Sequence, residues 1–284
     1  MKPAAIIDAH VHWWHPPRLR YPWLASVPAL HRSFLPADFS AAIGSAPMAK
    51  AVFIECGCDP AQNLEEVAWV SALARQESRL GGLVAQINLE KGEAALPELR
   101  QLAANPLVKG VRYSLQDQSD PGFCLRPGFL GGVRLLSQFG FSFDLCIRHH
   151  QLALAAEMVG RCPEVAFVLD HLGKPNIRER QYEAWAKDLK NLAALPNVCC
   201  KLSGLTTEAD LAQWQLADLR PFARHALECF GPDRLLYGGD WPVCTLATSY
   251  TRWLETVQTL IADLGETDRH KIFFGNAQSF YRLS

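Results

Sequence analysis

His10 and His12 stand one residue apart at the end of an apolar run, Ile6-Ile7-Asp8-Ala9-His10-Val11-His12. On a β-strand, residues i and i+2 share a face, so both imidazoles would leave the strand end together. Two imidazoles so placed suit one divalent metal ion or one polar substrate. A second pole lies at Leu235-Leu236-Tyr237-Gly238-Gly239-Asp240-Trp241-Pro242, where another apolar run ends in a carboxylate. If the two strand ends meet in space, the Asp240 carboxylate stands beside the histidines.

Strand ends of this kind need a scaffold that gathers them. Short apolar, β-branched runs begin near Ala4, Ala49, Leu80, Val108, Phe141, Val165, Val198 and Arg234, roughly 24 to 45 residues apart. Helical periodicity fills most of the gaps, over 63–76, 151–159, 182–195, 218–230 and 250–264, and a last amphipathic piece covers 267–281. Eight alternating units predict an α/β chain, a single (β/α)8 barrel over residues 1–284. The competing architecture is an open doubly wound sheet, which usually shows a Gly-rich phosphate loop after its first strand. Here that position reads Asp-Ala-His-Val-His, which favours the barrel. The Pro-rich stretch from Pro16 to Pro36 is the one long irregular loop; Trp13 and Trp14 precede it, and it carries Tyr21, Trp23, His31 and Phe34. Such a loop either roofs the site or simply packs on the barrel.

Catalytic groups of a barrel come from the C-terminal ends of its strands. Read that way, strand two ends at Glu55 and strand three at Gln86 and Asn88. Strand four ends in Arg112, strand five carries Asp144 and Arg148, and strand six ends in His171. Strand seven ends in Lys201 and Ser203, and strand eight in Asp240. Singly, each has an ordinary structural reading: a cap, a salt-bridge partner, a lysine reaching out to water. Together, so many polar groups closing apolar strands predict a shared polar site.

Composition narrows the classes. The chain of 284 residues is 49% hydrophobic and 20% charged, with a net charge of −1. It has no basic stripe for nucleic acid and no unbroken apolar window for a membrane span. The first strand follows Met1-Lys2-Pro3 directly, so a cytoplasmic protein is expected. Nine cysteines lie mostly inside apolar runs and read as buried free thiols. Cys56-x-Cys58 lacks a second pair at zinc-site spacing.

His-x-His on strand one, Leu169-Asp170-His171-Leu172-Gly173-Lys174-Pro175 on strand six and Gly238-Gly239-Asp240-Trp241-Pro242 on strand eight resemble the amidohydrolase superfamily. Within it, the chain is similar to the branch of sugar-acid lactonases and 2-pyrone-4,6-dicarboxylate lactonase, and most of all to the L-fucono- and L-rhamnono-lactonases. The likeness runs from Asp8 to Tyr281 and includes Lys201-Leu202-Ser203-Gly204. It implies a hydrolase that opens a small-molecule lactone, with Asp240 as general base, His10 and His12 beside the carbonyl, and His171 orienting water or carbonyl oxygen. Arg112, Arg148 and Lys201 are then expected to bind substrate, with Trp14 or Trp23 stacking on a sugar face. The resemblance implies either no required cofactor or one divalent ion, zinc by preference, on His10, His12 and Asp240. A binuclear centre is not expected, because strand four offers Arg112, which cannot bridge two cations. The competing functions are a metal-dependent decarboxylase of the aminocarboxymuconate-semialdehyde type, a hydrolase of a pyrone-dicarboxylate, and an inactive binding scaffold. The chain is expected to act as a monomer or homo-oligomer without nucleic-acid or membrane partners.

Overall fold

A computed structural model describes residues 3–284. Eight parallel strands pair in chain order: β1 (Ile6–Val11), β2 (Met48–Ile54), β3 (Leu80–Gln86), β4 (Val108–Arg112), β5 (Ser142–Leu145), β6 (Phe167–Leu169), β7 (Val198–Leu202) and β8 (Leu235–Tyr237). Every strand begins within two residues of its expected start. The seam between β8 and β1 is short. The His12 amide donates to the Trp241 carbonyl at 2.7 Å and the Asp240 amide to the His10 carbonyl at 2.8 Å. The result is the expected (β/α)8 barrel.

Around it lie α1 (Pro36–Ile43), α2 (Asn63–Leu73), α3 (Leu96–Ala103), α4 (Pro127–Leu135), α5 (Leu152–Gly160), α6 (Glu183–Ala193), α7 (Leu216–Phe230) and α8 (Tyr250–Leu260). Periodicity had marked α2 and α5 to α8 but not α1, α3 or α4. Those three run only eight or nine residues, and each carries a proline in its first turn. Proline there is pre-set for a helix start, yet it reads as a breaker in a periodicity count. The closing segment is broken rather than continuous: α9 (Glu266–His270), a wider π-type turn over Lys271–Gly275, and α10 (Asn276–Phe280).

Two cores form. The larger lies between strands and helices; the smaller fills the barrel with Ile7, Ala9, Val52, Ile54, Val84, Val168 and Leu236. Ala277, Tyr281 and Leu283 close that interior from below. Strand alternation would turn His10 and His12 outward if Ile7 and Ala9 point in. A bulge resolves this: Asp8 pairs with Ala51 and Val11 with Phe53, so β1 spends three steps where β2 spends two. The extra residue shifts the phase, so His10 and His12 point inward while Val11 packs outside. All nine cysteines are free thiols. Among the described residues, no helix is long and apolar enough to cross a membrane.

Candidate active site

Asp8 fixes the bulge. Its Oδ1 accepts from the amides of His10 at 2.9 Å and Gly239 at 2.8 Å, and its Oδ2 accepts from the Tyr250 hydroxyl at 2.8 Å. A Cβ on Gly239 would stand 2.4 Å from Asp8 Oδ2 and 2.3 Å from Tyr250 Cε2, so only glycine permits this approach. Asp240 follows with φ at 52°, a left-handed conformation that aspartate tolerates better than most residues.

His171 is placed by another left-handed segment. His171, Leu172, Gly173 and Lys174 have φ of 52°, 53°, 71° and 50°. The turn is held by the Lys174 amide on the His171 carbonyl and by the Trp185 indole on the Leu172 carbonyl, both at 2.8 Å. Gly204 makes room for the imidazole, since a Cβ there would lie 2.7 Å from His171 Cγ and Nδ1. Such backbone strain is sustained where the surroundings over-determine it, and it concentrates at functional sites.

These devices bring together four donor atoms from three strand ends. His10 Nε2, His12 Nε2 and His171 Nε2 lie 3.7, 3.6 and 3.8 Å from one oxygen, Asp240 Oδ1. His10 Nε2 and His12 Nε2 are 3.1 Å apart. All four residues are at most 5% exposed. His12 Nδ1 sits 2.8 Å from the Ile54 carbonyl, which can only accept, so the neutral ring keeps its proton there and leaves Nε2 bare. His171 Nδ1 is held by Ser203 Oγ at 2.8 Å. Burial brings His171 down to about 4, despite the opposing pull of Asp240, and also drives His10 well below the usual range. Burial pushes against the Asp240 charge, but His171, His12 and His10 together hold its carboxyl below the ordinary value. Near neutral pH, the histidines just named as shifted are thus uncharged beside a carboxylate.

This donor set fits a divalent cation. Ligands held about 2.0–2.2 Å from a tetrahedral ion lie about 3.3–3.6 Å from one another. The contacts among His10, His12 and Asp240, 3.1 to 3.7 Å, bracket that span and are mostly too long for hydrogen bonds. His10, Asp170 and His171 form a second, overlapping group of possible ligands. Charge agrees. Asp8, Glu55, Asp144, Asp170 and Asp240 are at most 3% exposed, and the buried cations among them are Arg112 and Lys201. A buried excess of acidic groups favours a bound cation.

Beneath the histidines lies an ionic layer. Lys201 is fully buried, with Nζ at 2.5 Å from Asp144 Oδ2, 2.9 Å from Asp170 Oδ1 and 3.2 Å from His10 Nδ1. Burial works against its charge, yet Asp144 and Asp170 hold its pKa above the ordinary lysine value. The Tyr281 hydroxyl donates to Asp144 Oδ2 at 2.8 Å. Arg112 donates to Glu55 Oε1 and the Glu55 carbonyl, each at 2.6 Å, and to Asp170 Oδ2 at 3.2 Å.

Several expected substrate contacts therefore move. Lys201 supports His10 from below instead of meeting substrate, because no part of it reaches solvent. Arg112 spends all three guanidinium nitrogens on the protein. Trp14 is fully buried, its indole donating to the Arg32 carbonyl at 2.8 Å, and it packs edge-on against Phe34 and Trp23. The aromatic loop is thus packed to the barrel through Trp14, Phe34 and Trp241. Trp23 stays half-buried, with its indole on the Cys56 carbonyl. Arg148 is exposed at the mouth, 3.7 Å from Asp117. Asp170 and Asp8 belong to the site although no role had been given them. The only signal was their place beside the histidines, where an acid also reads as a turn cap.

Comparison with known proteins agrees with this geometry. The amidohydrolase family model matches residues 7–283. An L-fucono-1,5-lactonase of Burkholderia multivorans is 32% identical over 292 residues, spanning 98% of this chain and 96% of that protein. An L-fucono-1,5-lactonase of Burkholderia ambifaria is 31% identical over 282 residues, spanning 98% of this chain and 95% of its own. The crystal structure of an amidohydrolase from Burkholderia multivorans with bound zinc superimposes with a TM-score of 0.89 at 32% identity, covering 99% of this chain and 100% of the other. With a barrel whose first, sixth and eighth strands deliver His10, His12, His171 and Asp240 to one point, the chain belongs to the amidohydrolase family.

Proposed function

We propose that the chain, acting as one catalytic unit over residues 1–284, hydrolyses a sugar-acid lactone of the L-fucono- or L-rhamnono-lactone kind. The observation that carries this reading is the convergence of three imidazole nitrogens on Asp240 Oδ1 at the barrel mouth. The fucono-lactonase relatives, aligned along nearly the whole chain, support the substrate class.

Asp240 is the general base. It takes a proton from the attacking water and returns it to the ring oxygen as the ester bond breaks. A divalent ion on His10, His12 and Asp240, zinc by preference, would polarise the carbonyl and acidify that water. His171, braced by Ser203, orients the water or the carbonyl oxygen. Arg148 and Trp23 keep accessible surface near the mouth and would meet the sugar hydroxyls and an apolar sugar face.

The test is proton release on a panel of aldonolactones with protein stripped by a chelator, with and without zinc. Activity lost on stripping and restored by zinc supports a metal-assisted lactonase. Activity indifferent to stripping supports lactone hydrolysis without a required metal. Silence on every lactone in both states refutes the reading.

A further inference from the structure

His10 has two unlike neighbours on its rear nitrogen. Lys201 Nζ lies 3.2 Å from Nδ1 and Asp170 Oδ1 lies 3.3 Å from it. An ammonium can only donate and a carboxylate can only accept. A neutral imidazole carries one proton, so each neighbour supports a different tautomer.

The front nitrogen makes this choice matter. His12 keeps its proton on Nδ1, facing the Ile54 carbonyl, so its Nε2 is bare. His10 Nε2 lies 3.1 Å from that bare nitrogen. Two arrangements satisfy the distance. In one, His10 carries its proton on Nε2 and donates to His12; its Nδ1 is then bare and accepts from Lys201. In the other, a cation takes both Nε2 lone pairs, and the His10 proton must sit on Nδ1. Asp170 Oδ1 is in place to receive it: fully buried, 3.3 Å from Nδ1, and otherwise paired with the Lys201 ammonium at 2.9 Å. Passing between the two relocates one proton from Nε2 to Nδ1 of the same ring, and the ring stays neutral throughout.

We propose that Lys201 and Asp170 form a two-way tautomer selector for His10, Lys201 supporting the Nε2–H form and Asp170 the Nδ1–H form that offers a bare Nε2 to a divalent ion. This rests on the metal-binding part of the proposed function. Both are positioning residues, since neither reaches the substrate side. Asp144 and Tyr281 steady the pair from below by fixing where the Lys201 ammonium stands. Lys201 and Asp170 are themselves paired at 2.9 Å, so donor and acceptor reach Nδ1 as one unit, at 3.2 and 3.3 Å.

The test is nitrogen NMR of the full chain labelled with ¹⁵N-histidine, after chelation and again with zinc. The expected result is His10 as Nε2–H without zinc and Nδ1–H with it, while His12 stays Nδ1–H in both. His10 found as Nδ1–H in both states overturns the selector and leaves the metal reading standing. No response of either ring to zinc overturns both. Asp170→Asn should weaken zinc binding about ten- to a hundredfold in competition with a chromophoric chelator. Unchanged zinc affinity in that variant also overturns the proposal, and the wild-type spectra decide the matter if the variant does not fold.

Discussion

The amide of Asp240 donates to the carbonyl of His10 at 2.8 Å. The first and last strands are therefore stitched at the same residues whose side chains converge in the site. A shift of one strand against the other would move base and histidines together, so closure of the barrel and assembly of the site are a single event.

Asp240→Asn should keep that stitch, because the backbone bond is untouched and asparagine tolerates the left-handed φ of 52°. It should lower kcat by about 10²- to 10⁴-fold with a melting temperature close to wild type. Steady-state kinetics and a thermal melt check this; activity within about tenfold of wild type would remove Asp240 from the role of base.

Arg112→Ala should act on stability. All three guanidinium nitrogens bind Glu55 and Asp170, and stripping a buried ion cluster of its cation costs about 3–5 kcal/mol. Denaturant unfolding measures it. A variant as stable as wild type but with a raised KM would return Arg112 to substrate binding.

Gly204→Ala should displace the His171 ring, since its new Cβ would meet Cγ and Nδ1 at 2.7 Å from a backbone with φ of 66°. Overpacking of this kind costs about 1–3 kcal/mol. The expected signature is a fall in kcat larger than any change in KM. Wild-type kcat in a folded variant would show that the orientation of His171 is not needed.

Glu66, on α2, gives the chain a pH dependence outside the site. Burial, reinforced by the charge of Glu55, pushes its carboxyl up to about 8 from an ordinary 4.5. The folded pKa lies above the unfolded one. The stability it contributes is therefore fully present below the unfolded value and is lost as pH rises through about 8. Glu66→Gln should melt above wild type near pH 9, and the gap should close toward about pH 5. Melting curves across that range check it, and parallel curves would refute it.

The fold was legible because eight apolar runs recur at βα spacing, a signal that survives even where β6 shortens to Phe167–Leu169. His10, His12, His171 and Asp240 were legible because polar groups at strand ends are costly without a purpose. The direction of a charge was not. Lys201 sits in an apolar strand, and whether it reaches water or a buried carboxylate depends on Asp144, 57 residues away in sequence. The bulge in β1 was hidden too: strand alternation from Ile7 gives the wrong phase for His10, and only the pairing with β2 exposes the extra residue. Trp14 read as a sugar platform because loop aromatics look alike until their neighbours are known; its indole is bound within the loop.

Tyr281 lies 137 residues downstream of the aspartate it binds. In a chain made from its N-terminus, every barrel strand leaves the ribosome before this residue does. Until Tyr281 arrives, the cradle of Asp144 and Lys201 lies open to water from below. His10 and His12 are thus synthesised well before the residue that completes the pocket holding them dry.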